Sequence, residues 1–132
     1  MMQTDRNIKL AALLCLLPAI FLIVSGILLL FMPVQAKALF DLPTIDVLKG
    51  PIALSLGIRQ LVIGLLITIF SLTNQVKALA YVLVIGALVP LIDFIVFIPT
   101  IGVVSALRHL GSVPFILGLG FYLFIQLRKK DE

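Results

Sequence analysis

Charge is the scarcest thing in this sequence. Asp, Glu, Lys and Arg together make up 12% of its 132 residues, against roughly 25% in a soluble domain. That is too little to cover a globule facing water. Cysteine occurs once, as Cys15, so no intrachain disulfide can form, and its place inside an apolar run suits a buried, inert thiol. Histidine also occurs once, as His109. One His and one Cys in different segments make no metal-ligand set. Tryptophan is absent. There is no phosphate-cradling glycine loop, no nucleophile elbow and no CxxC pair. Net charge is +4, but the one basic cluster, Arg128-Lys129-Lys130, is too short for a nucleic-acid surface, so no nucleic-acid partner is expected.

What is present is hydrocarbon. Hydrophobic residues make up 62% of the chain and mean hydropathy is +1.29. They come in long unbroken runs, the pattern of helices that cross a bilayer. Four spans are expected, at about 10–32, 51–72, 78–98 and 106–127, the last beginning somewhere between Ser105 and Val113, forming an all-α, polytopic membrane four-helix bundle. The bundle makes a single domain over 1–132, with no linker left over. Span one holds 23 residues without a charge, Leu10–Met32, enough for a hydrocarbon core of ~30 Å. Val34-Gln35-Ala36 resembles a cleavage site, but a signal h-region is only ~7–15 residues long, so an uncleaved span is preferred. Residues 33–50 mix Pro33, Pro43 and Gly50 with apolar and charged residues and are expected to lie on the membrane surface. The break after span three is expected at Pro99-Thr100-Ile101-Gly102.

Orientation follows from Lys and Arg. With the N-terminus inside, the inner ends carry Arg6, Lys9, Lys77, Arg128, Lys129 and Lys130, and the outer loops only Lys37, Lys49 and Arg108. This excess places both termini in the cytoplasm of a cell-membrane protein, with the basic ends touching anionic lipid. Tyr81 and Tyr122 fall near the inner interface, where aromatic belts form.

Two ionisable residues interrupt the apolar runs. A lone charge in hydrocarbon costs at least ~2.5–3.5 kcal/mol on insertion scales, so Arg59 in span two and Asp93 in span three call for an explanation. Arg59 lies eight residues below Pro51 and Asp93 six below Pro99. At ~1.5 Å per residue the depths are about 12 and 9 Å. Antiparallel neighbours joined by the short Thr73-Asn74-Gln75 turn would bring the two into one layer as an ion pair. The competing reading has Arg59 snorkelling alone and Asp93 protonated. His109, at the outer mouth of span four, can carry or release a proton and could join them; a histidine at a span end is more often an interface residue.

Other stripes read as packing. Gly57, Gln60, Gly64, Thr68 and Ser71 share one face of span two, and Ser55 and Arg59 lie nearly opposite. Small residues let helices approach closely in lipid. Gly111, Pro114, Gly118 and Tyr122 form a similar stripe on span four. In span three Gly86, Pro90 and Asp93 share a face, and Pro90 leaves the Gly86 carbonyl without its helical donor.

Gly57-Ile58-Arg59, Gly64-Leu65-Leu66, Asp93 and His109-Leu110-Gly111 together resemble the small four-span membrane proteins grouped around DoxX, in particular an uncharacterised family with a G-I-R…D…H pattern. The resemblance implies a four-helix membrane bundle with Arg59, Asp93 and His109 as a polar site.

The candidate site is therefore Arg59, Asp93 and His109, with Ser55 and Gln60 beside Arg59 on the same helix. The leading expectation is a non-catalytic membrane protein whose outer half binds a lipophilic small molecule, membrane lipid or a partner membrane protein, a second copy included. A lipophile's polar head would meet Arg59 and Asp93, and its tail Phe94 and Phe97. No cofactor is expected. A second reading is a membrane isomerase or quinone-linked oxidoreductase component, with Asp93 and His109 as acid and base held by Arg59. A small transporter ranks last, because span one lacks a membrane acid. The topology predicts that reporter fusions after Leu42, Asn74, Gly102 and Glu132 read out, in, out, in; an outside signal after Asn74 would overturn the depth argument.

Overall fold

The computed structural model describes residues 2–32, 35–36 and 51–131, with all their side chains except those of residues 2, 4, 51, 52, 100, 101, 108, 109 and 131. The segment at 37–50 expected on the membrane surface lies outside the described residues. Among those described there is no strand. The helices are α1 (Met2–Leu14), α2 (Leu16–Phe31), α3 (Pro51–Leu72), α4 (Val76–Gly86), α5 (Leu88–Ala106) and α6 (Val113–Asp131), with a 3-10 turn at Leu107–Leu110 before α6.

Two prolines divide what are really single spans. Pro18 has no N–H for the Leu14 carbonyl, and helical bonding falters at Cys15 between α1 and α2. The chain nevertheless runs on: Cys15 keeps helical angles, its N–H donates to the Ala11 carbonyl at 3.1 Å, and Ala19 N–H donates to the Cys15 carbonyl at 3.3 Å. The free thiol of Cys15 is buried and donates to the Ala11 carbonyl. Pro90 does the same three residues after Ala87, where α4 passes into α5 and Ala87 N–H still donates to Leu83 at 3.1 Å.

Three helical stretches among the described residues are long and apolar enough to cross a membrane: Asp5–Phe31, Ala53–Leu72 and Val76–Pro99. They correspond to the first three expected spans. The fourth differs. Regular helix starts at Val113, and the uncharged part, Val113–Leu127, has 15 residues, about 22 Å at ~1.5 Å per residue. The reason lies upstream. The chain does not stop at Pro99, which sits inside α5; it breaks at Gly102, whose φ is +77°, so α5 is two helical pieces, 88–101 and 103–106, across a kink. A proline in a helix removes one bond and bends it, whereas a left-handed residue ends it, and glycine adopts that conformation without a Cβ penalty. The break and the 3-10 turn then use up the residues through Ser112.

Packing is close where glycines allow it. α2 and α3 make the most extensive contact. A Cβ on Gly26 would stand 2.9 Å from the Gly57 carbonyl oxygen, and one on Gly64 3.0 Å from the Ala19 carbonyl oxygen. Gly57 and Gly64 are thus packing residues, as their stripe predicts. α6 packs on α4 through Gly120, whose Cβ would lie 3.3 Å from that of Leu83, and Tyr81 meets Phe124 edge-on at 5.0 Å. The expected α6 stripe is displaced: Gly118 has nothing within 4 Å, and Gly111, Pro114 and Tyr122 are exposed. Val113, Ile116, Gly120 and Leu123 are buried instead. Their spacing is equally helical and buries more apolar area, which decides between two stripes of similar period.

The main core joins Ala11, Cys15, Ala19, Ile67, Leu79, Leu83 and Leu123. It occupies the end of the bundle that holds both chain ends, where Lys130 Nζ meets Asp5 Oδ1 at 2.8 Å. A smaller cluster of Leu29, Ala36 and Ala53, with Phe97 against it, lies at the distal end. Large apolar side chains such as Leu17, Ile85, Ile95 and Val96 are more than half exposed. Such a surface would aggregate in water and is ordinary in lipid.

Candidate functional site

The polar site follows from where α3 and α5 cross the same layer. Arg59 Nη2 donates to both carboxylate oxygens of Asp93, at 2.9 Å to Oδ1 and 2.7 Å to Oδ2. With the break at Gly102, Asp93 stands nine residues from its distal end and Arg59 eight from Pro51, about 13 and 12 Å at ~1.5 Å per residue. The corrected boundary brings the two depths closer together than the sequence suggested. One guanidinium nitrogen serves both oxygens, rather than two nitrogens forming the parallel fork of the strongest pairs. Arg59 Nε is left buried without a partner among the described residues.

Beside the pair lies a cavity of about 280 Å³. It sits where α2 and α3, locked together by their glycines, stand apart from α5 and the start of α6; α2 hardly touches α6, and α3 hardly touches α5. Arg59, Asp93, Gln60 and Ser112 give it polar groups, and Phe21, Leu22, Ile63, Ile67, Val82 and Ile116 give it apolar walls. From Arg59 to Ile67 is two turns of α3, roughly 12 Å. Polar groups thus collect at the distal end and hydrocarbon continues towards the core, the layout of a typical small-molecule site.

The sequence-predicted residues divide as follows. Arg59 and Asp93 meet directly. Gly86, Pro90 and Asp93 all line the cavity, as their shared helix face implies. Gln60 lines it too, and its Oε1 accepts from Ser25 Oγ, which also lies 3.1 Å from the Leu22 carbonyl oxygen. Gln60 therefore ties α3 to α2 while facing the site. Ser55 is exposed and does not line the cavity. His109 lies in the 3-10 turn, and its side chain is outside the described residues. Phe94 and Phe97 are not wall residues; Phe97 packs on the distal cluster. Reasoning from the sequence missed Phe21 and Leu22, because nothing distinguishes one apolar residue of a charge-free span from its neighbours. Ser112 had a detectable signal as the polar residue nearest the mouth of α6.

Among the described residues no group of three or more His, Cys, Asp or Glu could hold a metal ion. Chemically, the arrangement offers a neutralised charge pair, with spare guanidinium donors, at the end of a hydrocarbon pocket.

A family model described as a domain of unknown function (DUF4267) matches residues 19–123, a stretch that contains Arg59, Gln60, Asp93, His109 and every residue lining the cavity. It carries no statement about the DoxX group or the Gly57-Ile58-Arg59 pattern. No curated protein and no solved structure matches the chain.

The pair predicts non-additive energetics. Exposed ion pairs contribute up to ~1 kcal/mol, while removing one partner of a buried pair costs ~3–5 kcal/mol. Asp93, with its side chain 17% exposed, belongs nearer the second case. Asp93→Asn should lower thermal stability in detergent, and adding Arg59→Met should recover part of the loss. Simple additivity of the two single effects would show that the residues are not coupled.

Proposed function

We propose that this chain, which belongs to the family of the domain of unknown function DUF4267, is a small multi-pass membrane protein that holds a lipophilic molecule in the cavity beside Arg59 and Asp93, without chemistry of its own. The observation that carries this reading is the polarity of the cavity: a charged pair at one end and apolar side chains from the first span, α3, α4 and α6 along the rest. A polar head belongs at the pair. The tail lies along Ile63, Ile67 and Ile116 rather than along Phe94 and Phe97.

In this reading α6 is a fourth, short span, with Arg128, Lys129 and Lys130 at its inner end, and both termini are cytoplasmic in a cell membrane. The Asp5–Lys130 contact, which draws the two chain ends together, and the basic residues gathered there support it. So does the likeness to DoxX-group proteins in layout. Lateral separation of α2 from α6 offers a route from the bilayer. An acid–base role for Asp93 with His109 draws less support, because both Asp93 oxygens already accept from Arg59.

Gly86 supplies the test. A Cβ there would find nothing nearer than Ile63 Cγ2 at 4.0 Å, so Gly86→Leu puts a side chain into the cavity without backbone conflict. It also removes a helix-interior glycine that costs ~1 kcal/mol. Protein purified in mild detergent should carry a lipophile at near-stoichiometric amount by mass spectrometry, and Gly86→Leu should lose it while keeping its thermal stability. Equal content in both proteins, or none in the native one, would sink the reading.

A further inference from the structure

We infer that the cavity selects an uncharged lipophile whose head presents a carbonyl-type oxygen, such as a ketone, ester or amide, over a fatty acid or a plain hydrocarbon; this rests on the lipophile reading above. Among the described residues the charges lining the polar end already cancel, since Arg59 Nη2 holds both oxygens of Asp93. A carboxylate head would add an unbalanced negative charge in a medium of low dielectric. It could be accommodated only by displacing Asp93 from Arg59 or by protonating one of the two acids. A cationic head would face the guanidinium at close range.

Among the described residues, what the spare donors of Arg59 lack is an acceptor. Arg59 lines the cavity with its side chain 34% exposed, and among the described residues only Nη2 of its guanidinium has a hydrogen-bond partner. A buried N–H without an acceptor is costly, and hydrogen bonds to charged donors are the stronger kind. A guanidinium presents five N–H donors in a fixed plane, of which Asp93 engages those on one nitrogen. A carbonyl oxygen supplies the missing acceptor and brings no charge. Ser112, which also lines the cavity, adds a neutral hydroxyl donor to the lining. Pure hydrocarbon would fill the walls beside Ile63, Ile67 and Ile116 but leave these donors unmet.

Equilibrium binding of radiolabelled methyl nonyl ketone to the full chain in nanodiscs tests the assignment, with unlabelled ketone, decanoate and decane as competitors at pH about 8, where a free carboxylic acid is ionised. The ketone should bind saturably and compete at least tenfold better than either rival. Arg59→Lys keeps a cation for Asp93 but replaces the planar fork with a single nitrogen. It should weaken ketone binding about tenfold, the worth of ~1.4 kcal/mol, while the protein keeps its thermal transition. Decanoate or decane competing as well as the ketone, or native affinity in Arg59→Lys, would overturn the head-group assignment and leave the lipophile reading standing. Absence of saturable ketone binding would overturn the head-group assignment, and if the native protein also purifies without a lipophile the lipophile reading falls with it.

Discussion

The structure depends on the cost of a charge in hydrocarbon. Arg59 and Asp93 each interrupt an apolar helix two turns or more from its distal end, where an unpaired charge is costly. Each is the other's solvent. Their contact fixes the rotation of α3 and α5 about their axes and the level at which they pass. It joins two helices whose other contact is at the distal cluster, where Phe97 packs beside Ala53 and Leu56.

The rest of the packing explains why a space remains there. Gly26, Gly57 and Gly64 bring α2 against α3 at backbone distance, while Gly120 sets α6 on α4. These are two tight helix pairs, joined by an alanine-rich core at the end that holds both termini. Towards the other end they diverge. Arg59 and Asp93 bridge the gap on one level, and Phe97 closes it beyond. The cavity is what lies between a packed core and a bridge. Pro18 and Pro90 each interrupt helical bonding three residues upstream, at Cys15 and Ala87, and these are the places where the spans can bend as the pairs separate.

Much of this could be read from the residues. Long apolar runs marked the three long spans, because a bilayer imposes length and composition together. The meeting of Arg59 with Asp93 followed from counting residues from the span ends, and the Gly57–Gly64 face from its small side chains. What was not legible shares one physical cause: several answers of equal period. Pro99 and Gly102 both look like breaks, and only the backbone angle at Gly102 decides. Two faces of α6 carry helical spacing, and burial chose the one with Ile116 and Leu123 over the one with Gly118. Phe21 and Leu22 reach the cavity from a span whose sequence has no polar mark to orient it.

The central claim is that the Arg59–Asp93 pair holds the distal halves of α3 and α5 in place across the cavity. Spin labels at Leu54 and Val96, both exposed on the helix surface, in a Cys15→Ser background, measure that separation by pulsed electron paramagnetic resonance in nanodiscs. A narrow distance distribution should broaden or shift when Asp93→Asn is introduced. An unchanged distribution would contradict the claim and make the pair a passenger on helices positioned by something else.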